Sequence, residues 1–145
     1  MTTALSDLQS KVAEILGTVP ILAAESVLID DGRVKEDYET TLASRGFVVL
    51  VGPVLGLETA VRDPQLPMVR ATFTVEFYVN PDQNAANAGI NILGAIAACS
   101  KALVDYDFGL GESKIEALPN LCELSSDTPG VRGYVLLFSK LVSFS

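Results

Sequence analysis

The stretch PMVRATFTVEFYVN, Pro67 to Asn80, alternates apolar and polar residues along almost its whole length. Val69, Ala71, Phe73, Val75, Phe77 and Val79 share one parity, and Arg70, Thr72, Thr74 and Glu76 share the other. Side chains of an extended chain point to opposite faces in turn. The spacing therefore predicts a strand with one face for a core and one for water or a partner.

Upstream, Leu5, Leu8, Val12, Ile15 and Leu16 recur at helical spacing among Asp7, Gln9, Lys11 and Glu14, which predicts an amphipathic helix from about Ala4 to Leu16, ended by Gly17 and Pro20. Ile21 to Ile29 is ambiguous in period, but its β-branched end before Asp30-Asp31-Gly32 favours a strand in the second half. Val34, Tyr38 and Leu42 form the stripe of a second helix. Glu36, Asp37 and Glu39 load its start and Arg45-Gly46 its end, as the helix dipole and a left-handed cap require. FVVLV, Phe47 to Val51, reads as a strand buried on both faces, broken at Gly52-Pro53. Val54 to Leu66 is mixed in composition and predicts an extended hairpin loop or arm leading into the alternating strand.

Downstream, Asn80-Pro81-Asp82 predicts a turn, followed by one long helix over Asn84 to Val104. From Gln83 to Ser100 no charge interrupts, close to the roughly 20 residues that a bilayer core requires. Asn84, Asn87, Asn91 and the many alanines and glycines make it too weakly apolar for insertion, so a buried helix against a sheet is expected and no membrane. Lys114 to Leu124 predicts an edge or bulged strand, because Pro119 cannot complete a central ladder. Ser125 to Gly130 is a hydrophilic turn, and Val131 to Phe144 a last strand with apolar residues on both faces. The sum is an α+β fold: a mostly antiparallel four- to five-stranded sheet packed against two or three helices, in one domain over residues 1–145.

The 145 residues suffice for a core without disulfide or metal staples. The 49% hydrophobic content and mean hydropathy of +0.38 are high for a small monomer and predict apolar surface reserved for neighbours. A net charge of -8 repels phosphate and argues against a protein that grips nucleic acid. Cys99 and Cys122 lie in apolar surroundings without a CxxC spacing or any histidine, and read as reduced core residues. The N-terminal MTTALSDLQSKVAEI lacks the uninterrupted apolar run of a secretory signal, which leaves a reducing cytoplasm as the site of synthesis.

Chemistry-bearing patterns are sparse. Asp105, Asp107 and Glu116 take the first, third and twelfth places of a calcium loop, but Gly109 and Leu110 stand where a ligand and the turn glycine belong. Gly109 and Gly111 form a lone GxG without the rest of a phosphate loop. Asp30 and Asp31 are adjacent on a turn, where their carboxylates point apart. No catalytic residue, metal ligand or cofactor site is assigned.

The element order, the acidic DYE helix leading to RGFVVLVGP (Arg45 to Pro53), the alternating strand closing on VNP (Val79 to Pro81), and GYVLLFSKLV (Gly133 to Val142) in the last strand resemble the tail-terminator, or tail-completion, and minor tail proteins of long-tailed phages. The resemblance implies a non-enzymatic virion protein at the neck end of the tail. Such a protein forms a homo-hexameric ring that caps the tail tube, stops its polymerisation and joins the head connector. Its partners would be itself, the tail tube protein and the connector or neck protein, with DNA only as cargo passing through an acidic lumen. Candidate subunit-interface residues are Leu57, Glu58, Arg62 and Asp63 on the arm, and Arg70, Thr72 and Glu76 on the polar face of the alternating strand. Two other readings remain open: a head-closure or neck protein of the same assembly, and a small-molecule-binding regulatory domain. The latter would use a cavity between the alternating strand and the helix over Asn84 to Val104, with Asn91 or Tyr78 as polar handles.

Overall fold

The computed structural model describes residues 3–23, 25, 27–33, 35–61, 68–124 and 130–143. The alternating segment forms β3 (Met68–Val79), which is flanked along its length by β2 (Phe47–Val61) and β5 (Arg132–Ser143). A short β1 (Val27–Ile29) joins β2 in parallel, and β4 (Glu116–Leu124) joins β5 at the far edge. The five-stranded order is β1-β2-β3-β5-β4, antiparallel except at β1. The α+β architecture is thus the one that the periodicities predict.

One parity of β3 builds the main core. Val69, Ala71, Phe73, Val75, Phe77 and Val79 are buried with the stripe Leu8, Val12, Ile15 and Leu16 of α1 (Leu8–Gly17). Ala95, Ile96, Cys99 and Leu103 of α4 (Ile92–Asp105) join the same cluster. Phe73 stacks on its cross-strand partner Phe138 at 5.7 Å between ring centres, a pair that adds to area burial. The other sheet face is covered at one end by α2 (Lys35–Arg45), whose Leu42 and Tyr38 pack with Val48, Tyr78, Leu28 and Val131. Val34, the expected first member of that stripe, lies outside the described residues, as do Ser125–Pro129 of the expected turn.

Two local expectations need correction. The charge-free segment forms two helices, α3 (Pro81–Ala86) and α4, not one. Asparagine side chains compete with helical backbone for hydrogen bonds, and three of them do so here. Asn80 caps α3 by accepting from the Gln83 N–H, so Asn80-Pro81-Asp82 begins a helix. Buried Asn84 donates to the Ile90 carbonyl at 2.7 Å and accepts from the Ile90 N–H at 3.0 Å, which replaces the backbone bonds lost at the break. Asn91 restarts the helix by accepting from the Gly94 N–H at 2.9 Å.

Gly52-Pro53 does not end β2 either. The strand continues to Val61 through register shifts between Val51 and Val54, between Val54 and Gly56, and between Thr59 and Val61. A Cβ on Gly52 would lie 1.9 Å from Thr74 Oγ1, so this first bulge needs glycine for close approach to β3. Gln9 of α1 donates to the carbonyls of Gly52 (3.0 Å) and Asp30 (3.1 Å), which ties the bulge to the helical layer. The expected bulge in the edge strand is present: β4 carries a register shift between Ala117 and Leu121, around Pro119.

Gly46 is constrained twice. Its φ of +76° caps α2 in the left-handed region, and a Cβ there would lie 2.1 Å from the Asn84 nitrogen. The backbone path is held by Gly46 N–H donating to Leu42 and Asn80 N–H donating to Gly46.

Lys140, to which periodicity assigns no role, pairs in register with Ala71 and therefore turns to the core side of β5. It is fully buried. Its ammonium donates to Glu112 Oε1 (3.2 Å) and to the carbonyls of Ser113 (3.0 Å) and Leu141 (3.2 Å), and lies 4.3 Å from the Phe108 ring centre. Glu112 also accepts from the Thr3 N–H, beside the Ala4 to Ser143 bridge. Burial lowers the Lys140 pKa and outweighs the opposing pull of Glu112. For Glu112 burial acts upward, but hydrogen bonds from Thr3 and Lys140 prevail and hold the carboxyl below its usual range. The buried donors are thus satisfied by one carboxylate, two carbonyls and an aromatic face.

Breaking a buried pair strands a charge, so Glu112→Gln is expected to cost about 3–5 kcal/mol in chemical denaturation, with Glu112→Leu/Lys140→Met less destabilised than Glu112→Leu alone. Because Glu112 has a depressed folded pKa, its contribution is present above its ordinary value of 4.5 and is lost as pH falls through the folded value. Stability measured against pH should therefore fall less steeply in acid for Glu112→Gln than for the wild type. Gly46→Ala should cost at least roughly 1–2 kcal/mol from the left-handed backbone alone, read as a lowered denaturation midpoint.

Candidate assembly surface

β1 pairs with β2 only at Val49, Leu50 and Val51. From Val54 onward no described strand covers the outer edge of β2, and this half of the β2–β3 hairpin is the arm. Leu55 and Leu57 on it are 61% and 50% exposed, far above the level of the β3 residues behind them. A long apolar edge with free backbone groups is a template for association.

The expected interface residues fall into separate groups. Glu58 stands opposite Arg70 in register, and the Arg70 guanidinium pairs with Glu116 of β4 at 3.4 Å, so the three residues share one sheet face. Both partners of the second pair are over a third exposed, and such a pair is worth at most about 1 kcal/mol. Thr72 lies on the same face between Gly56 and Ser139, and a Cβ on Gly56 would meet nothing within 4 Å, so the sheet has a notch beside the threonine. Leu57 pairs in register with Ala71 and faces the opposite side of the arm. Arg62 and Asp63 lie outside the described residues.

Glu76 is on the same parity as Arg70 but six residues away, about 20 Å along the strand. It stands between Leu50 and Val135. Burial raises its pKa, the charge of Asp30 adds to this, and a hydrogen bond with Tyr78 opposes it. Tyr78 meets Tyr38 edge-on at 5.0 Å, so Glu76 belongs with the α2 contact and not with the arm. Tyr78 is itself raised above the usual tyrosine range, chiefly by burial and then by Glu76.

Periodicity overlooked part of this face. Val135, Leu137 and Leu141 of β5 share it with Glu76, Thr74 and Arg70 and are only half-buried, which places apolar rows beside the polar row of β3. The signal was the apolar residues on both parities of GYVLLFSKLV.

Other sequence candidates have local partners. Asp105 pairs with Lys101 at 2.5 Å, and Asp107 accepts from the Gly109 N–H at 2.9 Å, so both carboxylates of the calcium-like pattern are engaged. Among the described residues no group of three metal-ligating side chains converges. Asp30 and Asp31 accept from the N–H groups of Gly32 and Arg33 within their own turn. Cys99 is buried, and desolvation pushes its thiol up to about 12, far from a reactive thiolate. The side chain of Cys122 lies outside those described.

Phe77, Val75, Ala95, Ile96 and Cys99 are buried together between β3 and the following helix, where the alternative reading expects a cavity. Tyr78 is on the opposite face, and Asn91 is engaged as a cap. Among the described residues, open grooves flank α2. One of about 360 Å³ is lined by Leu28, Ile29, Asp31, Arg33 and Asp37, and one of about 380 Å³ has Tyr38, Leu42, Ala43 and Val131 in its wall.

No protein-family model matches the chain, and no curated protein matches it. Among solved structures it is similar to a chain in the virion of a native gene transfer agent particle, with a TM-score of 0.63 and 20% identity over 94% of each chain. That likeness is one of fold, and it spans both the sheet and its helices.

Proposed function

We propose that this protein is a structural component of a phage-like virion, and that it acts there as the tail terminator. In this reading it forms a homo-hexameric ring on the end of the tail tube, stops tube growth and offers the connector a docking surface. The observation that carries the reading is the fold shared over 94% of both chains with a virion component. An assembly protein also needs surface that is satisfied only by neighbours. The arm supplies it through Leu55, Leu57 and the edge of β2 that no described strand covers.

Leu57, Glu58, Arg62, Asp63, Arg70 and Thr72 form the proposed subunit contact, with Glu76 as a support of the α2 end. Arg70, Glu58 and Glu116 on one sheet face give the surface a charge pattern that a neighbour can read for register. The net charge of -8 suits a ring through which DNA passes without counterion-releasing contacts. No nucleophile, metal or cofactor is required for this role.

Native mass spectrometry of the purified protein, alone and with tail tube protein, should show hexamers or binding to tube ends, and added protein should shorten tubes that are polymerising. A strict monomer without effect on tubes would overturn the reading, and binding to a connector but not to tube ends would make it a neck protein. Leu57→Glu/Arg70→Glu should reduce the oligomer at least tenfold, equivalent to about 1.4 kcal/mol. Its fold by circular dichroism should be retained, with thermal unfolding lowered modestly because Arg70→Glu breaks the pair with Glu116 and sets a like charge opposite Glu58.

A further inference from the structure

The two edges of the sheet are unlike. On the β2 side no described strand covers the arm from Val54 onward. On the other side β4 begins opposite Ser139, so β5 runs past it over residues 140–143. A strand edge left in this way offers backbone N–H and C=O groups to any strand that approaches.

That stretch of β5 is nevertheless closed. Thr3 and Ala4, just before α1, lie beside it as a strap. The Ser143 N–H donates to the Thr3 carbonyl at 3.0 Å, and Ala4 forms a parallel bridge with Ser143. Two residues earlier, the Leu141 carbonyl accepts from the Lys140 ammonium at 3.2 Å and has the Ser113 hydroxyl at 3.5 Å. Residues two apart in a strand turn their backbone groups to the same neighbour, so both contacts fill the place that a further strand would take.

The strap is held from both ends. Toward α1, the Asp7 N–H donates to the Ala4 carbonyl at 3.0 Å and Leu5 packs on the main core. At the other end the Thr3 N–H donates to Glu112 Oε1. The Glu112 side chain is 6% exposed and takes the buried Lys140 ammonium as a further donor, so the Thr3 bond is charge-assisted and desolvated, where such bonds are strong. The loop that carries the carboxylate is fixed in turn: the Glu112 N–H donates to the Gly109 carbonyl at 3.2 Å, and the Ser113 carbonyl accepts from Lys140 at 3.0 Å.

Two residues of extended chain fray when nothing ties them down. A buried ion pair, for its part, is no more stabilising than apolar residues of the same volume. The two features make sense together, with the pair as the fastening of the strap. We propose that the Thr3–Ala4 strap, clasped by Glu112, guards the end of β5 against strand addition by another copy of this chain. Every copy carries a strand edge fit to add there, the arm of β2. The rest of the guarded side is β4, whose ladder is interrupted between Ala117 and Leu121 around Pro119, so both parts of that side are protected and pairing is left to the β2 side. The guard does not depend on the ring reading.

Thr3→Pro removes the clasped N–H and leaves Lys140 and Glu112 paired, whereas Thr3→Ser keeps the N–H. In hydrogen exchange followed by NMR, the Ser143 amide of Thr3→Pro should exchange at least about tenfold faster than in the wild type, measured against the Val75 and Phe77 amides of the same sample, because a hydrogen bond to a charged group is lost. In sedimentation velocity the same variant should form species larger than any in the wild type, growing with concentration. Thr3→Ser should match the wild type in both measurements. An unchanged ratio of Ser143 to core exchange would show that Glu112 does not hold the strap, and a raised ratio with wild-type sedimentation would show that the strap covers β5 without guarding it. Either result overturns the proposal.

Discussion

The structure depends on the two-sided burial of β3. Among the described strands it alone is paired along its length to long strands on both sides, and its Val69-to-Val79 parity supplies the floor on which α1 and α4 rest. A slip of one residue would move that entire apolar set to the other face, so hydrophobic burial fixes the register and the register then fixes everything that hangs from the neighbouring strands. Arg70 is set beside Glu116 and Glu58, and Lys140 is turned inward, by the same ladder.

Glycine and asparagine make the closely fitted places possible. Gly52 lets β2 approach Thr74 and continue as an arm instead of ending, and Gly46 lets the start of α3 lie against the end of α2. Asn84 then stitches the break before α4 to its own backbone. These are short-range solutions to a long-range demand: the segment must leave β3, turn back and cover its apolar face within few residues. The Lys140–Glu112 pair answers a related demand at the other end, where Thr3 and the loop after α4 converge on the end of β5.

The surface left by this packing is uneven. Helices α1 and α4 pack on one face, while α2 covers the other at one end, with apolar Val135, Leu137 and Leu141 half-buried beside the polar row of β3. Exposed leucines occur on the arm and on the loop after α4, far from one another in sequence. The high mean hydropathy thus has a visible destination beyond the core.

Sequence alone determined the elements whose burial is periodic. The alternation of β3, the stripes of α1 and α2, the doubly buried FVVLV and the Pro119 edge all follow from which side chains avoid water, and a local pattern records that. Sequence also marked the arm residues and the polar face of β3, Glu76 included, as candidates. Tertiary structure decided what depends on partners distant in the chain. The helix break at Asn87 needs the reciprocal Asn84–Ile90 bonds, and Gly52-Pro53 becomes a bulge because β3 continues to pair beyond it. Lys140 is stable inside only because Glu112, Ser113 and Phe108 arrive from another segment, and the separation of Glu76 from Arg70 follows from the length of the strand between them. A periodicity reports burial, whereas pairing and proximity are properties of the folded chain.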